Sequence, residues 1–181
     1  MIERSFLNDE NIILRSLNLE DLEGDYIKWF DDTEICVGNN HHRFPYSIEN
    51  LKEYIESSYN RNLLILAIID KKRNVHIGNV AITSIDYINS NCDFSIVIGD
   101  KNAWGKGFGY LVAKLVIEHV FYALNIKRIN IGTYENNIGM INLAKKLGAV
   151  EEGIRRNAAF KNGEYVNVIE FGLLSSEYTR R

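Results

Sequence analysis

The chain has 181 residues, 46% hydrophobic and 25% charged, a size and balance that suit one domain with its own buried core. A net charge of -3 and an isoelectric point near 5.8 lack the basic excess of a general nucleic-acid binder, so any bound polyanion has to be held locally. Cys36 and Cys92 lie far apart without metal-ligand spacing around them, so neither a disulfide scaffold nor a metal site is expected.

In chain order, residues 1–10 carry acids where a secretory signal would be basic and then apolar. No apolar run approaches membrane-spanning length, and the expected compartment is the cytoplasm. Residues 12–17 read as a first strand. Asn18 and Asp21 then open a helix with Leu19, Leu22, Tyr26, Trp29 and Phe30 on its apolar face. Residues 31–46 break that periodicity. They hold Gly38, His41, His42, Arg43 and the only proline, Pro45, and form the best candidate for a functional loop. Ser47 caps a second helix, with Ile48, Leu51, Tyr54 and Ile55 on one side.

Residues 63–69 form an apolar strand, 70–74 a charged turn, and 76–85 a returning strand. Asn89, Ser90 and Asn91 turn the chain into another strand over residues 92–99, which completes an antiparallel meander. After a glycine-rich loop come a helix to about residue 124, a strand at 128–133 and a helix at 137–147. A final hairpin turns at Asn162-Gly163. This order gives an α/β domain over residues 1–181, core 11–174, with a mixed sheet flanked by helices.

The glycine-rich loop carries the chemistry. The run Trp104-Gly105-Lys106-Gly107-Phe108-Gly109 lies between an apolar strand (Phe94, Ile96, Val97, Ile98) and a helix with apolar residues at Leu111, Val112, Leu115, Val116 and Val120. The glycines therefore sit at a helix N-terminus, where unpartnered amides and the positive end of the dipole hold a di-anion. The spacing is not that of a P-loop and fits a Rossmann fingerprint poorly. A tight strand-to-helix turn without a ligand remains an alternative for the loop alone.

Trp104-Gly-Lys-Gly-Phe-Gly109 resembles the pyrophosphate-binding element of the GNAT acetyltransferases. Asn137, followed by a helix running to Lys146-Leu147-Gly148-Ala149, resembles their second motif, and the segments around Gly153 and Asn162-Gly163 also match. The likeness spans most of residues 11–174. It is strongest to the branch of the ribosomal-protein N-terminal acetyltransferases and related small-amine and amino-sugar acetyltransferases. It implies a mostly antiparallel sheet whose central strands, 93–99 and 128–133, splay to admit the pantetheine arm of acetyl-CoA, the expected co-substrate. It assigns cofactor contacts to Ile96, Val97, Ile98, Trp104, Gly105, Lys106, Gly107, Phe108, Gly109 and Asn137. An ordinary helix N-cap explains Asn137 equally well.

An alkylamine with a pKa of about 10.4 is mostly protonated at neutral pH, so a base or a deprotonating water path is needed. Asp93 is the first candidate, since it opens the strand where similar enzymes often carry a Glu; a turn residue is the alternative. His41 and His42, in the irregular loop, have side chains suited to proton transfer, and with Arg43 they are expected to meet the acceptor. Glu135 and Asp86 are weaker candidates for the base. One departure from the family stands out: Ala144 falls where many relatives carry a Tyr thought to protonate the departing thiolate. A covalent cysteine route is disfavoured, which leaves direct attack by the amine in a ternary complex.

The expected acceptor is a primary amine of a small molecule or amino sugar, because the loop at 38–46 lacks the acidic cluster that would attract a polycation. The alternatives are a protein N-terminus and a non-catalytic acyl-CoA-binding module. A homodimer is also expected; nucleic acid and membrane are not.

Overall fold

The computed structural model describes residues 5–57 and 62–179. Within them one eight-stranded sheet has the order β1-β2-β3-β4-β5-β6-β8-β7. The strands are β1 (Leu7–Asn8), β2 (Ile12–Ser16), β3 (Leu64–Asp70), β4 (Val75–Asp86), β5 (Asn91–Ile98), β6 (Arg128–Tyr134), β7 (Val150–Lys161) and β8 (Glu164–Leu174). Every neighbouring pair is antiparallel except β5 and β6. Four helices flank the sheet: α1 (Tyr26–Asp31), α2 (Ile48–Ser57), α3 (Phe108–Tyr122) and α4 (Ile138–Leu147).

Alternation along the strands divides the core in two. Ile12, Leu14, Leu66, Ile68, Ile77, Val80 and Ile82 meet α3 and α4. Leu17, Ile65, Ala67, Ile69 and Ala81 meet α1 and α2. The anticipated first helix is split: Asn18 and Asp21 form a reciprocal capping box on a 3₁₀ turn, Leu19–Glu23, and α1 begins only after Gly24. Ser47 caps α2 as expected, accepting from the Asn50 amide at 3.2 Å. Asn162 and Gly163 both take positive φ, 53° and 87°, as a type I′ hairpin turn requires.

Beneath α1, Asp21 receives both guanidinium nitrogens of Arg15, at 2.8 and 2.6 Å. Burial alone would raise the Asp21 pKa, but these bonds and His76 overcome it and hold the carboxyl well below its usual range.

The feature that positions the site is the junction of β5 and β6. Their parallel pairing covers Asn91↔Arg128, Cys92↔Ile129 and Asp93↔Asn130, and then stops. Beyond it β5 stays on β4 as far as Gly78↔Ile98, while β6 stays on β8 as far as Tyr134↔Val168. The two central strands diverge, as the family resemblance implied, and open a gap through the middle of the sheet.

Candidate active site

A cleft of about 1250 Å³ fills this gap and runs out to the glycine loop. It exceeds the roughly 300–1,000 Å³ of common small-molecule sites, which leaves room for two substrates. At its mouth Gly107 caps α3 with φ 82°, and Gly105 has φ 72°. A Cβ on either glycine would meet no protein atom within 4 Å, so the space in front of them is free for a ligand. Among the described residues the amides of Gly105, Gly107, Phe108 and Gly109 have no backbone acceptor. Such an arrangement could hold a pyrophosphate, and it forms because glycine alone adopts these dihedrals without strain. Lys146 lines the same cleft from α4, its ammonium 4.2 Å from the Tyr110 ring centroid.

The loop is tied directly to the splayed strand. The Trp104 indole N–H donates to the Ile98 carbonyl at 2.8 Å. The Val97 carbonyl lies on the other side, toward β4, where a Cβ on Gly78 would come within 2.2 Å of it. Peptide groups alternate in direction along a strand, so the N–H and C=O of Ile96 share the direction of the Ile98 carbonyl and face the gap. Amides placed there suit a polarised thioester oxygen.

The opposite wall is the loop after α1, which crosses to the β7–β8 hairpin. Lys161 donates to the carbonyl of Asn39 at 3.0 Å, and Arg43 to that of Phe160 at 2.9 Å. The Tyr134 hydroxyl, at the end of β6, donates to Asn40 Oδ1. Asn137 Oδ1 accepts from the Met140 amide at 3.2 Å and so caps α4, while Nδ2 donates to the Gly38 carbonyl. His41 packs edge-on against Phe30, and its Nδ1 lies 3.1 Å from the Tyr46 hydroxyl. Burial, with the nearby Lys161 charge, lowers its pKa and favours the neutral imidazole.

Residues 11–150 match the family described as "Acetyltransferase (GNAT) domain". The chain belongs to the GNAT acetyltransferase family. It is an acetyl-CoA-dependent N-acetyltransferase, in keeping with its relatives. It is 27% identical over 176 residues, 96% of each chain, to the SPbeta prophage-derived uncharacterized N-acetyltransferase YokL of Bacillus subtilis (strain 168). It is 28% identical over 138 residues to the spermidine N(1)-acetyltransferase of Vibrio cholerae serotype O1, covering 76% of this chain and 79% of that one. A crystal structure of spermidine N-acetyltransferase from Vibrio cholerae in complex with CoA and spermine superposes with a TM-score of 0.83 at 25% identity, over 94% of this chain and 99% of the other.

In this acetyltransferase the cleft gathers Ile96, Val97, Ile98, Trp104, Gly105, Gly107, Phe108, Gly109, Asn137, His41 and Arg43. Lys106, His42 and Asp93 are not on its walls. Asp93 belongs to the last β5–β6 pair, where the gap is still closed, and accepts from Asn130 Nδ2 at 3.1 Å. Glu135 holds Asn167 through two hydrogen bonds and Asp86 organises a turn, so both are structurally occupied. Ala144 is fully buried, in the core beside Ile141 and Leu147, while Met140 and Leu143 face the cleft.

Asn39, Asn40, Arg155 and Phe160 also line the cleft and were not singled out from the sequence. Arg155 borders an irregular stretch in which β7 advances from Arg155 to Ala159 while β8 retreats only from Val168 to Val166. The positive φ of Asn157, 50°, falls inside that stretch, and asparagine is the one sequence signal for it.

Proposed function

We propose that the enzyme transfers acetyl from acetyl-CoA to the primary amine of a small molecule or amino sugar by direct attack in a ternary complex. The observation that carries this reading is the pairing limit between β5 and β6, which opens one cleft to the glycine loop at one end and the His41–Arg43 loop at the other. The amides of Gly107, Phe108 and Gly109 would hold the pyrophosphate, and the Ile96 amide the thioester oxygen. Neither cysteine offers a nucleophile to the cleft. Cys92 is fully buried and its pKa is pushed up to about 12, chiefly by desolvation, while the Cys36 thiol donates to the Trp29 carbonyl at 3.1 Å.

Proton removal from the amine is assigned to His41 rather than Asp93, because the imidazole borders the cleft and is held neutral. A lowered histidine pKa makes a weak base, but the same desolvation lowers the pKa of a bound ammonium, which closes part of the difference. Asp93 then acts on β5 and β6 through Asn130.

The V. cholerae relative is named for spermidine, and its CoA-bound structure holds spermine. A polycation is disfavoured here: among the described residues Glu34 is the one acidic residue on the cleft wall, and Lys101 already pairs with it at 2.7 Å. The test is thiol release from acetyl-CoA across aminoalcohols, amino sugars, polyamines and peptides with a free N-terminus. Turnover of a small neutral-tailed amine supports the reading. Peptide turnover alone moves it to a protein N-terminus. Tight CoA binding with no acceptor of any class would favour a non-catalytic module.

A further inference from the structure

A second cavity, of about 80 Å³, lies on the α1–α2 side of β5. It shares His41, Asn39 and Ser95 with the main cleft, so it opens at the point where the acceptor amine would stand. Tyr26, Trp29 and Phe30 wall it, and they are only 1%, 6% and 9% exposed. The Tyr26 hydroxyl faces the Asn79 side chain on the same wall as its hydrogen-bonding neighbour. A hydroxyl offers one donor and two acceptor sites, so one side-chain neighbour leaves it capacity for a ligand group.

We propose that this cavity is a specificity subsite that takes an uncharged, hydroxyl-bearing part of the acceptor, with the Tyr26 hydroxyl as its hydrogen-bond partner. The proposal rests on the acetyl-transfer reading above and names the acceptor class within it: an aminoalcohol or amino sugar. Asn39, Tyr54, Asn79 and Ser95 supply further neutral polar groups of the wall. Among the described residues no Asp, Glu, Lys or Arg lines the cavity, so a second ammonium or a carboxylate would lose its hydration there without gaining a counter-charge. Burial pushes the Tyr26 pKa up, which keeps the hydroxyl neutral. A buried water occupies about 10–15 Å³ by this kind of measure, so the space holds several waters that one hydroxylated group displaces. Aromatic walls with polar tips also suit the alternating apolar and hydroxylated faces of a sugar.

The experiment compares ethanolamine, propylamine and ethylenediamine, which differ only in the group two carbons from the amine. Each is titrated by calorimetry into the full-length enzyme–CoA complex and assayed for thiol release with acetyl-CoA. The expected result is at least tenfold tighter binding and lower KM for ethanolamine than for the other two. Tyr26→Phe should erase that preference while leaving propylamine and acetyl-CoA affinity unchanged. Ala81→Leu, which fills the cavity from β4, should erase it independently if the tyrosine variant is poorly folded. Equal constants for the three amines, a preference for the diamine, an equal loss for every amine in Tyr26→Phe, or no binding of any of them would overturn the subsite. Tyr26-dependent binding of ethanolamine without thiol release from any amine would keep the subsite and overturn acetyl transfer. Thiol release with no preference would do the reverse.

Discussion

Asn137 and Gly38, 99 positions apart, meet at the top of the cleft, the Asn137 side-chain amide donating to the Gly38 carbonyl at 3.5 Å while its oxygen caps α4. One side chain thus fixes both the start of a helix and the start of the acceptor loop. A Cβ on Gly38 would come within 2.4 Å of Asn137 Nδ2, so the two residues leave each other no slack.

Replacing Asn137 by Ala removes the cap and should cost about 1 kcal/mol of stability, read as a lower Tm. Asn137→Asp keeps the cap but loses the donor to Gly38. It is expected to retain most of the Tm while raising KM for the acceptor. Equal Tm losses in the two variants would show that the cap is not what the residue contributes.

Gly107→Val is expected to weaken CoA binding by roughly tenfold or more, about 1.4 kcal/mol, measured by calorimetry. The left-handed φ of 82° penalises a β-branched residue, and the side chain would stand in the space left open in front of the loop. Circular dichroism should still report a folded chain, because a Cβ at this position meets no protein atom within 4 Å.

His41 carries a pH signature. Its pKa is lowered from 6.5, so the neutral form persists until the pH falls through that lower value, and protonation then removes the base. The kcat profile should show a limb descending toward acid below about 6.5 that His41→Gln abolishes, with kcat reduced by roughly 10²-fold. An unchanged limb in the variant would assign that titration elsewhere, and Asp93→Asn is the next variant to measure.

The buried Arg15–Asp21 pair is expected to dominate acid stability. The Asp21 pKa is depressed, so its contribution is complete above the unfolded value near 3.8 and is lost as the pH falls through the lower folded one. Asp21→Asn leaves Arg15 facing a neutral amide in a buried setting and should cost about 3–5 kcal/mol at neutral pH. Denaturant unfolding at neutral and acid pH tests both points, and the difference between variant and parent should shrink toward acid.

The strands and helices around the cofactor were legible in the sequence because local rules dominate there. An apolar run marked β5, 3.6-residue spacing marked α3, and Asn162-Gly163 marked its own turn. The cofactor loop was readable because only glycine fits its dihedrals. What the sequence hid depends on distant partners. β1 is two residues long and exists only by pairing with β2. The place of Asp93 is set by where β5 leaves β6, a register between strands more than thirty residues apart that no local pattern encodes. Tyr26 looked like one more apolar position on a helix face, and only the packing of α1 over the sheet reveals that it walls the second cavity.

The acceptor loop has almost no regular structure of its own between α1 and α2. Its carbonyls at Asn39 and His41 are grasped by Lys161, and Arg43 reaches back to Phe160. If this loop meets the acceptor as proposed, substrate choice is written jointly in two stretches about 120 positions apart, the second of them at the tip of the β7–β8 hairpin. A loop grafted from a relative without its matching hairpin would arrive with no anchor. On the proposed reading acceptor preference travels as a pair of segments, and exchanging both together is the way to transplant it.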